Sequence, residues 1–143
     1  MSTPDVRASV MTAINAAVPV GMAVFNLSDY TSIDDLPLNT TQEALLVDFI
    51  AASEYMTTIS GEGNQGWQED GTIAMTWIAP TGFVSTPILT KADALRVALR
   101  GRRLNKIVLE SVEPFRDTGS QVGVNGPWTG FSSLINYTRH DCG

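Results

Sequence analysis

At 143 residues the chain has the length of one domain, taken here as residues 1–143, and its 43% hydrophobic and 17% charged residues exclude a disordered polymer. No apolar run approaches the roughly 18 residues of a membrane span, and Met1-Ser2-Thr3-Pro4-Asp5 lacks the basic region and apolar run of a secretion signal, so the expected place of folding is the cytosol. The net charge is −6; the lone cysteine, Cys142, excludes an internal disulfide, and with His140 as the lone histidine no metal or cofactor site is expected.

In chain order, the first element reads as a helix. Thr3 suits the N-cap, Pro4 the first helical position and Asp5 the positive end of the dipole. Val6, Val10, Ile14 and Ala17 form an apolar stripe, and Pro19 stops it. Residues 21–26 make a short strand, and the polar stretch 28–42 reads as a loop. Residues 45–50 are a compact apolar run suited to a buried strand, whereas 55–59 alternate as a strand partly facing water. The glycine-rich stretch 60–71 then reads as the extended tip of a long hairpin whose return strand, 72–78, alternates Ile73, Met75 and Trp77.

A second helix has two possible starts, Thr86 followed by Pro87 or the capping box Thr90-x-x-Asp93. The earlier is preferred because Ile88, Ala92, Leu95 and Leu99 then form one stripe, ended by Gly101. Residues 106–113 form a strand, 114–127 a glycine-rich loop and 128–138 a last strand. This order predicts an α+β fold: a mostly antiparallel sheet with a long hairpin, flanked by two helices.

Charge is divided along the chain. Between Arg7 and Lys91 there is no Lys or Arg, while Asp29, Asp34, Asp35, Glu43, Asp48, Glu54, Glu62, Glu69 and Asp70 fall in that span. Lys91, Arg96, Arg100, Arg102, Arg103 and Lys106 then follow within one short stretch. Two solvated faces would explain this; so would head-to-tail contact, in which the basic surface of one copy meets the acidic surface of the next. The acidic remainder, and the absence of aromatic residues among the basic ones, favour protein over nucleic acid as the partner. Trp67 is the best aromatic anchor for such a contact, with Glu69 and Asp70 beside it.

Three motifs invite a catalytic or cofactor reading. Gly61-x-Gly63-x-x-Gly66 has the letters of a dinucleotide fingerprint, but Trp67-Gln-Glu-Asp-Gly71 cannot open the helix that must meet the pyrophosphate. Asp117-Thr118-Gly119-Ser120 matches the catalytic turn of aspartic proteases, which needs a second carboxylate. A dimer could supply one, so a dimeric protease acting through Asp117 is the residual enzyme reading. Its flanks, Pro114 and Arg116, replace the expected apolar strand, and a surface turn fits better. His140, Asp141 and Cys142 cluster at the terminus, read as a frayed tail, where rigid positioning fails. No catalytic residue is therefore expected.

The element order, together with Trp77-Ile-Ala-Pro80-Thr-Gly82 ahead of the second helix, resembles the small tail-terminator proteins of long-tailed phages. So do the helix end Leu99-Arg-Gly-Arg-Arg-Leu104, the run Gly126-Pro127-Trp128, and Asn136-Tyr137-Thr138-Arg139-His140-Asp141. The resemblance spans nearly the whole chain. It implies a virion protein forming a ring, typically a homohexamer, that binds the last ring of the tail tube protein. Such a ring stops tube polymerisation and presents a surface to the head or its connector protein. It also implies no catalytic residues or cofactors, and DNA only in passage through an acidic channel. The expected interface comprises Arg96, Arg100, Arg102, Arg103, Lys106, Trp67, Glu69 and Asp70, with the hairpin tip docking on the tube. A head-tail connector ring is the alternative.

Overall fold

The computed structural model describes residues 3–31, 36–37, 42–58, 66–80, 85–119 and 128–142. Helix α1 spans Pro4–Ala17 and buries Val6, Val10, Ala13 and Ile14 along one face. Thr3 holds the extended N-cap backbone, but its hydroxyl makes no capping bond and lies buried without a partner; Pro4, at the first position, and Asp5, in the first turn, still suit the helix start. Val18 turns extended, and its N–H reaches back to the Ile14 carbonyl just before Pro19.

Strand β1 (Ala23–Asn26) leads into a short 3-10 turn (Leu27–Asp29). Strands β2 (Ala44–Thr58) and β3 (Gly66–Pro80) are then 15 residues each, roughly 50 Å long. Helix α2 covers Ser85–Leu99, nearer the earlier of the two starts but opening before it, so that Thr86 and Pro87 are already helical; Ile88, Ala92, Leu95 and Leu99 form its buried stripe. After it come β4 (Arg103–Leu104), β5 (Ile107–Val112), β6 (Arg116–Gly119) and β7 (Trp128–Cys142).

Among the described residues these strands make one seven-stranded sheet ordered β1-β2-β3-β7-β5-β4, with β6 continuing the line of β5 along β7. The β1–β2 pair is parallel and every other pair antiparallel, so the fold is α+β with a mixed sheet. Both helices pack on one face. Leu45, Val47, Phe49, Ile73, Met75, Trp77, Phe131, Ile135 and Tyr137 alternate onto that face and form the main core with the helix stripes. Among the described residues the other face is open, except near β1. There Leu36, Ala44, Leu46, Ile78 and Trp128 form a smaller core with Phe25, Leu27 and Tyr30.

Several sequence expectations need correction. Residues 45–50 and 55–58 are not two strands but parts of one, whose alternation is broken by a bulge at Ile50; that residue is 55% exposed instead of buried, and residue 59 lies outside the described residues. The hairpin tip is shorter than expected, because residues 66–71 already pair with β2 on one side and β7 on the other. Residues 61–65 lie outside the described residues, and Gly66 opens a strand, not the helix a dinucleotide loop requires. Asp117 and Gly119 belong to β6 instead of a surface turn. His140, Asp141 and Cys142 are no frayed tail: they pair with Gln68, Trp67 and Gly66.

Candidate subunit interface

The basic residues gather at one edge of the sheet for local reasons. Gly101, at φ +70°, reverses the chain after α2, where an L side chain would be strained. Its N–H donates to the Leu109 carbonyl (2.7 Å), and the Leu109 N–H donates to the Arg102 carbonyl (2.9 Å), so the helix end is laid against β5. Arg103 and Leu104 then pair with Val108 and Ile107 across a two-residue turn, with Asn105 at φ +59°. Lys106, expected to open a strand, sits in that turn. Arg100, Arg102, Arg103 and Lys106 are all exposed here. No ion pair joins Arg100, Arg102 or Arg103 to another described residue.

Arg96 departs from this group. Its Nε donates to Asp93 Oδ1 at 2.9 Å one turn away, and its side chain is largely covered. Lys91 likewise turns to Glu43 (2.6 Å), whose second oxygen accepts from the indole N–H of the buried Trp77 at 3.4 Å. This carboxylate ties α2 to the core of β3.

The expected acidic partner, Trp67-Gln-Glu69-Asp70, divides between the two sheet faces. Glu69 is only 2% exposed, and its Oε2 accepts from the Tyr137 hydroxyl at 2.6 Å. It is buried on the helix side, across the strand pair from Arg139, which bridges to Asp5 of α1 at 3.4 Å. Glu69 is therefore a structural carboxylate and not a surface for a neighbour, a correction to the sequence reading. Trp67 is 39% exposed and lies opposite the exposed Met56, so the pair shows an apolar patch toward the end of the ribbon.

Asp70 lies on the open face. Its carboxylate accepts from Gln68 Nε2 (2.9 Å), the Tyr55 hydroxyl (2.8 Å) and the Thr138 hydroxyl (3.1 Å). The Gln68 bond, followed by the Tyr55 bond, holds its pKa below the usual carboxylate value, against the opposing effect of burial. The same bond to Asp70 raises the pKa of the Tyr55 phenol. Thr138 also reaches Glu110 (2.7 Å); one hydroxyl donates to one carboxylate at a time, so the two acids share it. Gln68, Asp70, Glu110 and Thr138, with Ser53 and Asn136, line a shallow concavity of about 550 Å³. Sequence reading missed Tyr55, Gln68, Glu110 and Thr138. Had residues 66–71 been read as strand, the alternation Gln68, Asp70, Thr72 would have placed the polar set on one face.

Asp48 and Glu54 are the exposed acids of β2, far across the sheet from the basic edge. Asp34, Asp35 and Glu62 lie outside the described residues. Among the described residues no group of three or more His, Cys, Asp and Glu side chains is placed to hold a metal ion, and no helix is long and apolar enough to cross a membrane. Asp117 is exposed on β6, in register with Phe131. The chain matches no protein-family model, and no curated protein is significantly similar to it.

Proposed function

We propose that this chain is a structural subunit that assembles head to tail into a ring, and that the ring caps a finished phage tail tube. The observation that carries the assembly step is the charge division of one sheet: exposed Arg100, Arg102, Arg103 and Lys106 at one edge, exposed Asp48 and Glu54 on the opposite outer strand. Complementary patches on opposite sides of one molecule make heterologous contacts, which close into rings when the rotation permits. The placement on a tail rests on the likeness of the sequence's element order and local motifs to tail terminators. In this reading the ring halts tube growth and offers its other side to the head or connector, and DNA crosses a channel to which acidic side chains give no adhesion.

The test is native mass of the purified protein, alone and with tail tube subunits. A ring that binds tube ends and stops their elongation is the expected result. A ring that binds head portals but not tubes would make it the connector, and a monomer in both mixtures would overturn the proposal.

A further inference from the structure

Beside the basic turn the surface is hollow. A groove of about 370 Å³ lies between α1 and the turn that carries β4, lined by Ala8, Thr12 and Ala16 from the helix and by Arg102 and Leu104 from the turn. Ala8, Thr12 and Ala16 are exposed there, while the same helix buries Val6, Val10 and Ile14 against the sheet. The charge beside the groove has one sign. From Ala94 to Leu109 there is no Asp or Glu, and Arg100, Arg102 and Arg103 stand exposed with no ion pair to another described residue. A phosphate would meet the arginines and leave the alanines and Leu104 facing water. An apolar side chain with acids beside it satisfies both.

The opposite side of the sheet carries such a group. The bulge in β2 between Phe49 and Ala51 re-aims Ile50, which is 55% exposed, and β1 covers only residues 44–47 of that strand. Asp48 and Glu54 stand exposed on either side of Ile50, and residues 48–58 hold no Lys or Arg. Other exposed apolar side chains fit less well. Tyr55 donates its hydroxyl to Asp70, and Met56 lies opposite Trp67. Leu89 and Val97 sit on α2 close in sequence to Lys91, Arg96 and Arg100, where the charge has the wrong sign. A chain cannot fill its own groove with Ile50, because β3, β7 and β5 stand between β2 and β4. Each copy therefore offers one groove and one knob, the heterologous contact that a ring repeats.

We infer that Ile50 of one copy seats in the groove between α1 and β4 of the next, with Asp48 and Glu54 meeting the arginines beside it. This rests on the ring reading above and names the contact that builds the ring. Two chains test it in a Cys142→Ser background, one carrying Thr12→Cys and the other Ile50→Cys, each oxidised alone and then as a mixture. Native mass of Thr12→Trp, which fills the groove from an exposed position, is measured beside the wild type. A disulfide dimer from the mixture but from neither chain alone is expected. Association of Thr12→Trp should weaken about tenfold or more, the loss of one anchoring side chain. An Ile50→Cys chain that dimerises with itself, or a Thr12→Trp protein that assembles like the wild type, overturns the contact and leaves the ring standing. Weakened assembly with no mixed dimer gives the groove to another part of the neighbour and overturns Ile50 as its occupant. A wild-type protein that never assembles overturns both.

Discussion

Gly71 sits directly under the Tyr137 ring, so that any Cβ there would overlap the aromatic atoms. The two are cross-strand partners, and the ring covers the bare backbone while its hydroxyl reaches Glu69. Gly71→Ala should push the ring off this seat and loosen the buried hydrogen bond, at a cost of about 1–3 kcal/mol. A lowered urea midpoint in equilibrium unfolding would show it; an unchanged midpoint would mean that the ring is not held there. Asp70 gives a pH signature. Its folded pKa lies below its ordinary value of 3.8, so its contribution is present above that value and is lost as pH falls through the lower, folded pKa. The stability gap between the wild type and Asp70→Asn should thus be widest above pH 3.8 and close in stronger acid. Partial solvent screening keeps it small. Urea titrations across that range measure it, and a gap that widens in acid would contradict the assignment.

At the scale of elements, Glu43 joins α2 to the sheet by holding Lys91 with one oxygen and the Trp77 indole with the other. Glu43→Ala leaves a buried N–H without its acceptor and should cost about 1–3 kcal/mol, read from thermal or urea unfolding. Both helices were legible from spacing alone, since Val6, Val10 and Ile14, and Ile88, Ala92, Leu95 and Leu99, mark the covered faces. Strands whose two faces differ were legible too, as Ile73, Met75 and Trp77 show. The start of β3 was not. Gln68, Glu69, Asp70 and Gly71 have the composition of a turn, and only pairing with β2 and β7 on both sides makes them a strand. Strand β6 was hidden for the same reason, and β2 was divided because the bulge at Ile50 shifts the alternation by one. The burial of Glu69 had no local signal, because it depends on Tyr137, 68 positions away.

For the whole molecule, the division of charge read along the chain becomes a division across the sheet, though with fewer participants than the sequence suggested. Arg96, Lys91 and Glu69 are engaged within the chain, while Arg100, Arg102 and Arg103 stand exposed opposite Asp48 and Glu54, the surfaces proposed for a neighbour. Exposed charges of this kind act at long range and are screened within about 8 Å at physiological salt, so association should weaken as salt rises. Native mass determined across a salt series, for the wild type and for Arg100→Glu with Arg103→Glu, bears most directly on assembly through this edge. A wild-type ring that loosens with salt, and a reversed variant that is folded but monomeric at moderate salt, is the expected result. A variant that keeps the wild-type oligomer under the same conditions would contradict it.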